Sequence, residues 1–300
     1  MAKLGLVTVL YNSNDVLEDF FYSLSIQKMD DYHLYLIDNS PSEKTDKIIA
    51  QLTAKYPTVN KFTHLKNEGN NGVAKGNNQG IQMALAHGAD FVLLLNNDIY
   101  FTQTNILMDM VECSIKNNEH LIVPKIFYYN TRIIWMAGGD ILKYKGYTSH
   151  YGENCADDDK YSREAHFNYA PTCFMLISKE VFKNVGLMDE QYFVYYDDTD
   201  FIVRCLEKGY KVFLMPMLEV FHKVAVSTGG GDSVFTIYYQ NRNRIYYIKK
   251  NFPYHVQLPA LLYTLITRVG RYLLYNSEQR NALLKGIKEG FDMEISNKLL

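Results

Sequence analysis

Four short apolar runs, separated by three segments with helical spacing, dominate the first hundred residues. "LGLVTVLYN" (residues 4–12), "YHLYLIDNS" (32–40), "VNKFTHLK" (59–66) and "ADFVLLLNND" (89–98) are each too short for a helix and too apolar for a loop, so they read as buried strands. Between them lie "SNDVLEDFFYSLSIQ", "SEKTDKIIAQLTAKY" and "VAKGNNQGIQMALAHG", the last closed by Gly88. Strictly alternating strands and helices predict a mostly parallel sheet with helices on both faces, an α/β fold.

In such a sheet, ligands bind beyond the carboxyl ends of the strands. Every one of the four predicted strands ends in polar residues: Tyr11-Asn12, Asp38-Asn39-Ser40, Asn67-Glu68 and Asn96-Asn97-Asp98. Buried amides and carboxylates are costly unless partnered. One polar strand end is a turn; four on one rim predict a site.

Composition removes several function classes. Lys+Arg 31 against Asp+Glu 33 gives a net charge of −2, without the basic excess of a nucleic-acid binder. Cys113, Cys155, Cys173 and Cys205 show no CxxC spacing, which predicts a reduced, cytoplasmic protein with no zinc site. No apolar stretch is long enough to span a bilayer. The 25 tyrosines and 16 phenylalanines suit sugar or base stacking, and equally suit the core.

Beyond residue 120 the pattern changes to hairpin-like strands. "IIWMAGGDILKYKGYTSHYGE" carries turn signals, "HFNYAPTCFMLIS" reads as one strand, and "YKVFLMP" and "LEVFH" as two more. Short helices fall at "KEVFKNVG" and "DDTDFIVRCLEKG", and everything after Gly229-Gly230-Gly231 reads as helical.

Four motifs carry chemistry. The loop "NEGNNGVAKGNNQG" (residues 67–80) lacks the Gly-Lys-Ser/Thr of a phosphate loop and opens the third helix rather than the first. It is either a flexible connector or a set of backbone N–H groups facing a diphosphate or sugar. Asn96 and Asp98, two apart, would point the same way in extended chain, one toward a hard cation and the other toward a nucleotide. Asp197, Asp198 and Asp200 open a helix; the helix dipole accounts for one or two of them, while crowding of three suits a general base. Arg204 is spaced to pair with Asp200. His222 ends a strand before the glycine run and is a candidate third metal ligand.

Taken in order, "VTVLYN", "IDNS", "NEGNNGVAKGNNQG", "LLLNND", "GLMDEQYFVYYDDTDFIVRCLEKGYKV", "FH" and "YYQNRNRIYYIKK" resemble the family 2 glycosyltransferases, particularly their rhamnosyltransferase-like branch, over residues 4 to 250. The resemblance implies a GT-A fold, a dTDP- or UDP-sugar donor, a divalent cation (Mg2+ or Mn2+) and inversion at the anomeric carbon. It implies Asp98 as the metal-binding carboxylate of a DxD-like motif in which Asn96 replaces the first Asp, with His222 assisting at the metal. Asp38 would read the donor base, and Tyr11, Asn12, Asn39, Gly72, Lys75, Asn77, Asn96 and Asn97 would line the donor. Asp198 would be the catalytic base beside Asp197, with Asp189 and Glu190 on the acceptor side.

The implied organisation is a catalytic domain over 1–250, with a nucleotide-sugar half (1–119) and an acceptor half (120–232), followed by a helical appendage over 251–300. The acceptor would be a glycan or lipid-linked glycan of a bacterial cell surface. Rival readings are a sugar-nucleotide nucleotidyltransferase, which lacks its basic glycine loop here, and an inactive glycan-binding subunit of the same fold. The appendage carries Arg268, Arg271, Arg280, Lys285 and Lys288 among apolar residues. That pattern fits packing on the catalytic domain or a homodimer contact, and it also fits a peripheral membrane surface on the inner leaflet.

Overall fold

The computed structural model describes residues 3–29, 31–223 and 232–295. The expected alternation is present. β1 (Leu4–Leu10), α1 (Leu17–Ser25), β2 (Tyr32–Asp38), α2 (Lys44–Lys55), β3 (Phe62–Lys66), α3 (Val73–Ala86) and β4 (Phe91–Leu95) follow in turn. A two-residue strand β5 (Ile99–Tyr100), helix α4 (Ile106–Asn117) and strand β6 (Leu121–Tyr128) come next. The region of short strands holds β7 (Ile134–Met136), β8 (Gly139–Leu142), β9 (Tyr147–His150), β10 (Ala165–Phe167) and β11 (Phe174–Ser178). Then come α5 (Lys179–Val185), α6 (Asp197–Glu207), β12 (Val212–His222), α7 (Val234–Asn251), α8 (Tyr254–Leu274) and α9 (Ser277–Asp292).

The large sheet runs β10-β12-β6-β11-β4-β1-β2-β3, with β5 added to β12 and β7 to β6; β8 and β9 form a separate hairpin. The β4-β1-β2-β3 side is wholly parallel, and so is the long ladder between β12 and β6. Antiparallel β11 is inserted between them and joins the two halves. This is the mixed α/β architecture with a large, mostly parallel central sheet that the alternation predicts. All of β4 is buried, as a strand covered on both faces must be.

The second half departs from expectation in two places. "HFNYAPTCFMLIS" is split into β10 and β11 by the segment 168–173, because Pro171 cannot donate to a ladder. "YKVFLMP" and "LEVFH" are one strand, β12, which continues past Pro216 through a bulge between Met215 and Glu219. Gly229-Gly230-Gly231 lie outside the described residues.

The glycines of residues 67–80 have a packing explanation. A methyl group on Gly80 would sit 2.3 Å from Val7 Cγ1, and one on Gly76 2.7 Å from Val9 Cγ2, so α3 lies directly on β1. Gly72 has φ +80° and would place a Cβ 2.4 Å from the Phe193 carbonyl, a position closed to any other residue. The apparent phosphate loop is therefore first a device for bringing a helix close to a strand.

Candidate active site

The β1, β2 and β4 ends meet at the expected rim. Tyr11 is exposed, and Asn12 adopts a left-handed φ of 50° with its N–H donating to Ser40 Oγ at 3.0 Å. Asp38 is fully buried and accepts from Ser40 N at 2.8 Å and His64 Nε2 at 3.4 Å. Burial alone would push its carboxyl up, but hydrogen bonds from His64 and Ser40 outweigh that and hold it below the usual range. Asn39 donates to the Gly72 carbonyl at 3.0 Å, tying the glycine loop to β2. Lys75 is exposed on the first turn of α3. Asp38, Asp46 and His64 cluster closely enough for a cation, but Asp46 already pairs with Lys66.

Residues 96–98 are a turn rather than extended chain, so Asn96 and Asp98 do not share a face. Asn96 is exposed. Asn97 is buried and donates to Val9 O at 3.0 Å and Ser13 Oγ at 2.9 Å, so its amide braces β1. Asp98 is also buried, and the short β5–β12 ladder brings it to His222, whose Nε2 lies 3.2 Å from Asp98 Oδ1. The pair is poorly aligned for a hydrogen bond. Asp98 Oδ1 and His222 Nδ1 remain buried with no hydrogen-bond partner. Orphaned buried acceptors of this kind need an explanation, and an oxygen- and imidazole-binding divalent cation supplies one.

A row of rings leads from this pair to the acids of α6. Trp135 packs edge-on against His222 at 4.6 Å and against His150 at 4.7 Å between centroids. His150 stacks on Tyr169 at 5.9 Å, and Tyr169 Oη donates to Asp198 Oδ2 at 2.8 Å. Cys173 is buried; burial, then the charges of Asp98 and Asp198, hold its thiol well above the usual range. The sequence signal for Trp135, His150 and Tyr169 was slight. They lie on strands and loops of the irregular region, outside every motif read from the sequence as carrying chemistry.

Asp197 and Asp198 begin α6 after two consecutive left-handed residues, Tyr195 (φ 64°) and Tyr196 (φ 66°). Such backbone is strained in non-glycine residues and persists only where surroundings enforce it. Here Asn243 of α7, fully buried, donates to Val194 O at 2.7 Å and Tyr195 O at 3.0 Å. Burial, and next the neighbouring Asp198 charge, push the Asp197 carboxyl up to about 8. Asp198 is also raised by burial, opposed by hydrogen bonds from Tyr169 and from the Thr199 N–H, which lies 2.6 Å from Oδ1. Two adjacent carboxyls that resist losing both protons are suited to proton transfer.

Asp200 is different. It is fully buried, bonded to Arg204 Nε at 3.0 Å, Asn251 Nδ2 at 2.9 Å and Lys250 Nζ at 2.9 Å, so its role is structural, as the Arg204 spacing predicts. Asp189 and Glu190, expected on the acceptor side, make anchoring contacts in the structure. Asp189 accepts from Lys250 at 2.6 Å, Tyr246 Oη at 2.8 Å and Gln191 N at 3.0 Å. Glu190 accepts from Asn78 at 3.0 Å. Asn77, expected at the donor, is buried with its amide 3.6 Å from Met188 Sδ. All three stitch α3 or α7 to the segment leading into α6. The motif "YYQNRNRIYYIKK" supplies Asn243 and Lys250 to this work, which no spacing rule reveals because their partners lie some fifty residues upstream.

The comparisons agree with this geometry. The sequence profile of glycosyl transferase family 2 matches residues 6–186. This chain belongs to glycosyl transferase family 2. It is a glycosyltransferase, which sets the nucleotidyltransferase reading aside. The dTDP-rhamnosyl transferase RfbF of Shigella flexneri is 27% identical over 231 residues, 71% of each chain. The low-salt glycan biosynthesis hexosyltransferase Agl10 of Haloferax volcanii is 22% identical over 268 residues, 89% of this chain and 81% of its own. Among solved structures, S. aureus TarS 1-349 in complex with UDP-GlcNAc superposes with a TM-score of 0.63 at 13% identity, covering 97% of this chain and 81% of that one. The mannosyltransferase PcManGT from Pyrobaculum calidifontis, with GDP-Man and Mn2+, gives a TM-score of 0.57 at 12% identity, covering 97% and 88%. These structural likenesses establish the GT-A fold.

Proposed function

We propose that this glycosyltransferase moves a sugar, L-rhamnose by its likeness to RfbF, from a nucleotide-sugar donor to a hydroxyl of a glycan or lipid-linked glycan, with inversion. The observation that carries the reading is the placement of two acidic centres, Asp98 with His222 and Asp197 with Asp198, both near enough to Cys173 for Asp98 and Asp198 to act on its thiol and joined by one row of rings. A single displacement needs two functions: stabilisation of the leaving diphosphate and removal of the acceptor's proton on the opposite face. Two separated centres offer one for each.

Asp98 and His222 would hold a divalent cation, which when bound neutralises charge developing on the departing nucleoside diphosphate. Asp38 would read the donor base, with Tyr11, Asn12 and Asn39 beside it. Asp198 takes the proton from the attacking hydroxyl; Tyr169 orients its Oδ2, and Asp197 keeps the pair's proton affinity high. We divide the chain into a donor half (1–119), an acceptor half (120–232) and a C-terminal appendage (251–300), and assign α7 to the catalytic domain because it holds the α6 acids in place.

The test is donor turnover. dTDP-rhamnose, UDP-glucose, UDP-GlcNAc and GDP-mannose are offered in turn, with Mg2+ or Mn2+ and with chelator, and release of nucleoside diphosphate is measured. Turnover of dTDP-rhamnose that needs metal and is lost in Asp198→Asn supports the reading. Equal turnover with chelator, or an active Asp198→Asn variant, overturns the assignment of the two centres.

A further inference from the structure

Helix α8 carries two apolar faces. Val256, Ala260 and Thr264 are buried toward the protein. On the opposite side Tyr254, Leu258, Leu262, Ile266, Val269 and Leu273 are 48–77% exposed. At about 100° per residue these six sweep an arc of about 120°. No described helix is long and apolar enough to cross a membrane, so this face does not belong to a spanning segment.

Charge distinguishes the surface further. The chain as a whole is slightly acidic, at −2, yet residues 254–277 contain no Asp or Glu. Neither do residues 141–151, which include the turn Lys143–Lys145 that packs against α8. Lys143 and Lys145 are exposed, Lys145 Nζ lies 5.8 Å from the Tyr263 ring beside the apolar arc, and Tyr144 is 61% exposed between them. The basic row expected from the sequence is not the one that serves this face. Arg268 turns inward to Asn241, Arg271 lies toward Asp232, and Arg280 donates to the last carbonyls of α8.

We propose that this face, α8 with the Lys143–Lys145 turn, is the surface by which the enzyme lies on an anionic lipid bilayer. An interfacial helix needs a broad apolar arc, basic residues at its margin and aromatic residues near the headgroups, and all three are present. A second copy of this chain is the weaker occupant. Helix pairing uses a narrow seam repeating every 3.5 residues, whereas the exposed positions here step mostly by four and spread around the helix. An isologous contact would also set this acid-free face against itself. The position has a consequence for catalysis, because the inner side of α8 reaches α7, which holds the segment leading into Asp197 and Asp198. A lipid-linked acceptor would thus meet the enzyme from its own membrane. The inference stands apart from the donor and base assignments above.

The experiment is sedimentation of the full chain with phosphatidylcholine vesicles, with and without phosphatidylglycerol. Binding is expected to the anionic vesicles at low salt and to fall as salt screens the lysines. Leu262→Glu/Ile266→Glu should lower partitioning at least about tenfold, from lost apolar burial. Lys143→Glu/Lys145→Glu should remove the preference for phosphatidylglycerol. Both variants should keep wild-type donor hydrolysis, which separates failure of this inference from failure of the transferase reading. Absence of binding to anionic vesicles at low salt overturns the proposal. So does a dimer in light scattering that Leu262→Glu/Ile266→Glu splits while vesicle binding is nil; the face is then a contact between copies.

Discussion

Replacing Lys250 with methionine tests whether α7 is part of the catalytic machinery or merely adjoins it. The Lys250 ammonium, 6% exposed, bridges Asp189 at 2.6 Å and Asp200 at 2.9 Å, the two residues that bracket the strained approach to Asp197 and Asp198. Methionine keeps most of the volume and removes the charge. Breaking a buried ion pair by deleting one partner costs about 3–5 kcal/mol, mainly because the remaining charge is stranded. Asp200 keeps Arg204 and Asn251, and Asp189 keeps Tyr246 and Gln191 N, so the lower end of that range, about 3 kcal/mol, is expected. Urea unfolding followed by circular dichroism measures it. Neutralising the stranded partner in Lys250→Met/Asp189→Asn should recover at least about 1 kcal/mol, since paired removal of buried charges is far cheaper than removal of one. Transfer should fall at the same time, with kcat affected more than KM, because the base moves while the donor rim does not. A cost under about 1 kcal/mol, or a double variant weaker than the sum of its parts, would refute the argument.

Asp98→Ala should lower transfer by at least about 10²-fold with an unchanged unfolding midpoint, since it removes a rim carboxylate and no packing; activity near wild type at saturating Mn2+ would sink the metal assignment. The pH profile of kcat/KM should rise with pH through the titration of the Asp197–Asp198 pair, well above the ordinary carboxylate range, because both are raised and Asp197 reaches about 8. Tyr169→Phe removes a bond that favours the charged base, so its acidic limb should move to higher pH; a shift to lower pH contradicts the assigned contact. The same pair should make stability decline as pH climbs from about 4 toward 8, since the folded state there binds more protons than the unfolded chain. Gly80→Ala forces a methyl to 2.3 Å from Val7 Cγ1; overpacking of about 1–3 kcal/mol is partly offset by alanine's helix propensity of about 1 kcal/mol, leaving a net loss that Val7→Ala should relieve.

What could be read from the sequence was whatever is local. The strand–helix alternation, the polar strand ends and the Asp200–Arg204 spacing each depend on residues within a few positions of one another, and each appears in the structure. What the sequence left out were contacts between residues whose partners are distant. Asn97, Asn77, Asp189 and Glu190 look like ligand contacts because polar residues near a site suggest binding. Their partners, Val9, Met188, Lys250 and Asn78, are set by sheet order and helix packing, which no periodicity encodes. Asn96 and Asp98 do not share a face for a simpler reason. β4 ends at Leu95, so the two-residue repeat of extended chain no longer applies.

Two of these distant contacts, from Asn77 and Glu190, tie α3 to the segment leading into α6, and others join them. Val73 N donates to Phe193 O at 2.7 Å, and Asn78 exchanges two hydrogen bonds with the Met188 backbone, at 2.9 and 3.0 Å. Gly72 permits the approach because any side chain would strike Phe193. From the other side, α7 grips the same stretch through Asn243, Arg242 and Lys250, Arg242 reaching Gln191 O at 2.8 Å. Residues 188–200 are therefore clamped between α3, which opens at the glycine loop, and α7. A displacement at the anomeric carbon tolerates little error in the base's position, since misplacement by about 1 Å can cost 10²-fold in rate. Asn77, Asn78 and Asp189 spend their polar groups on this clamp, and under the proposed mechanism the clamp is what fixes the position of Asp198.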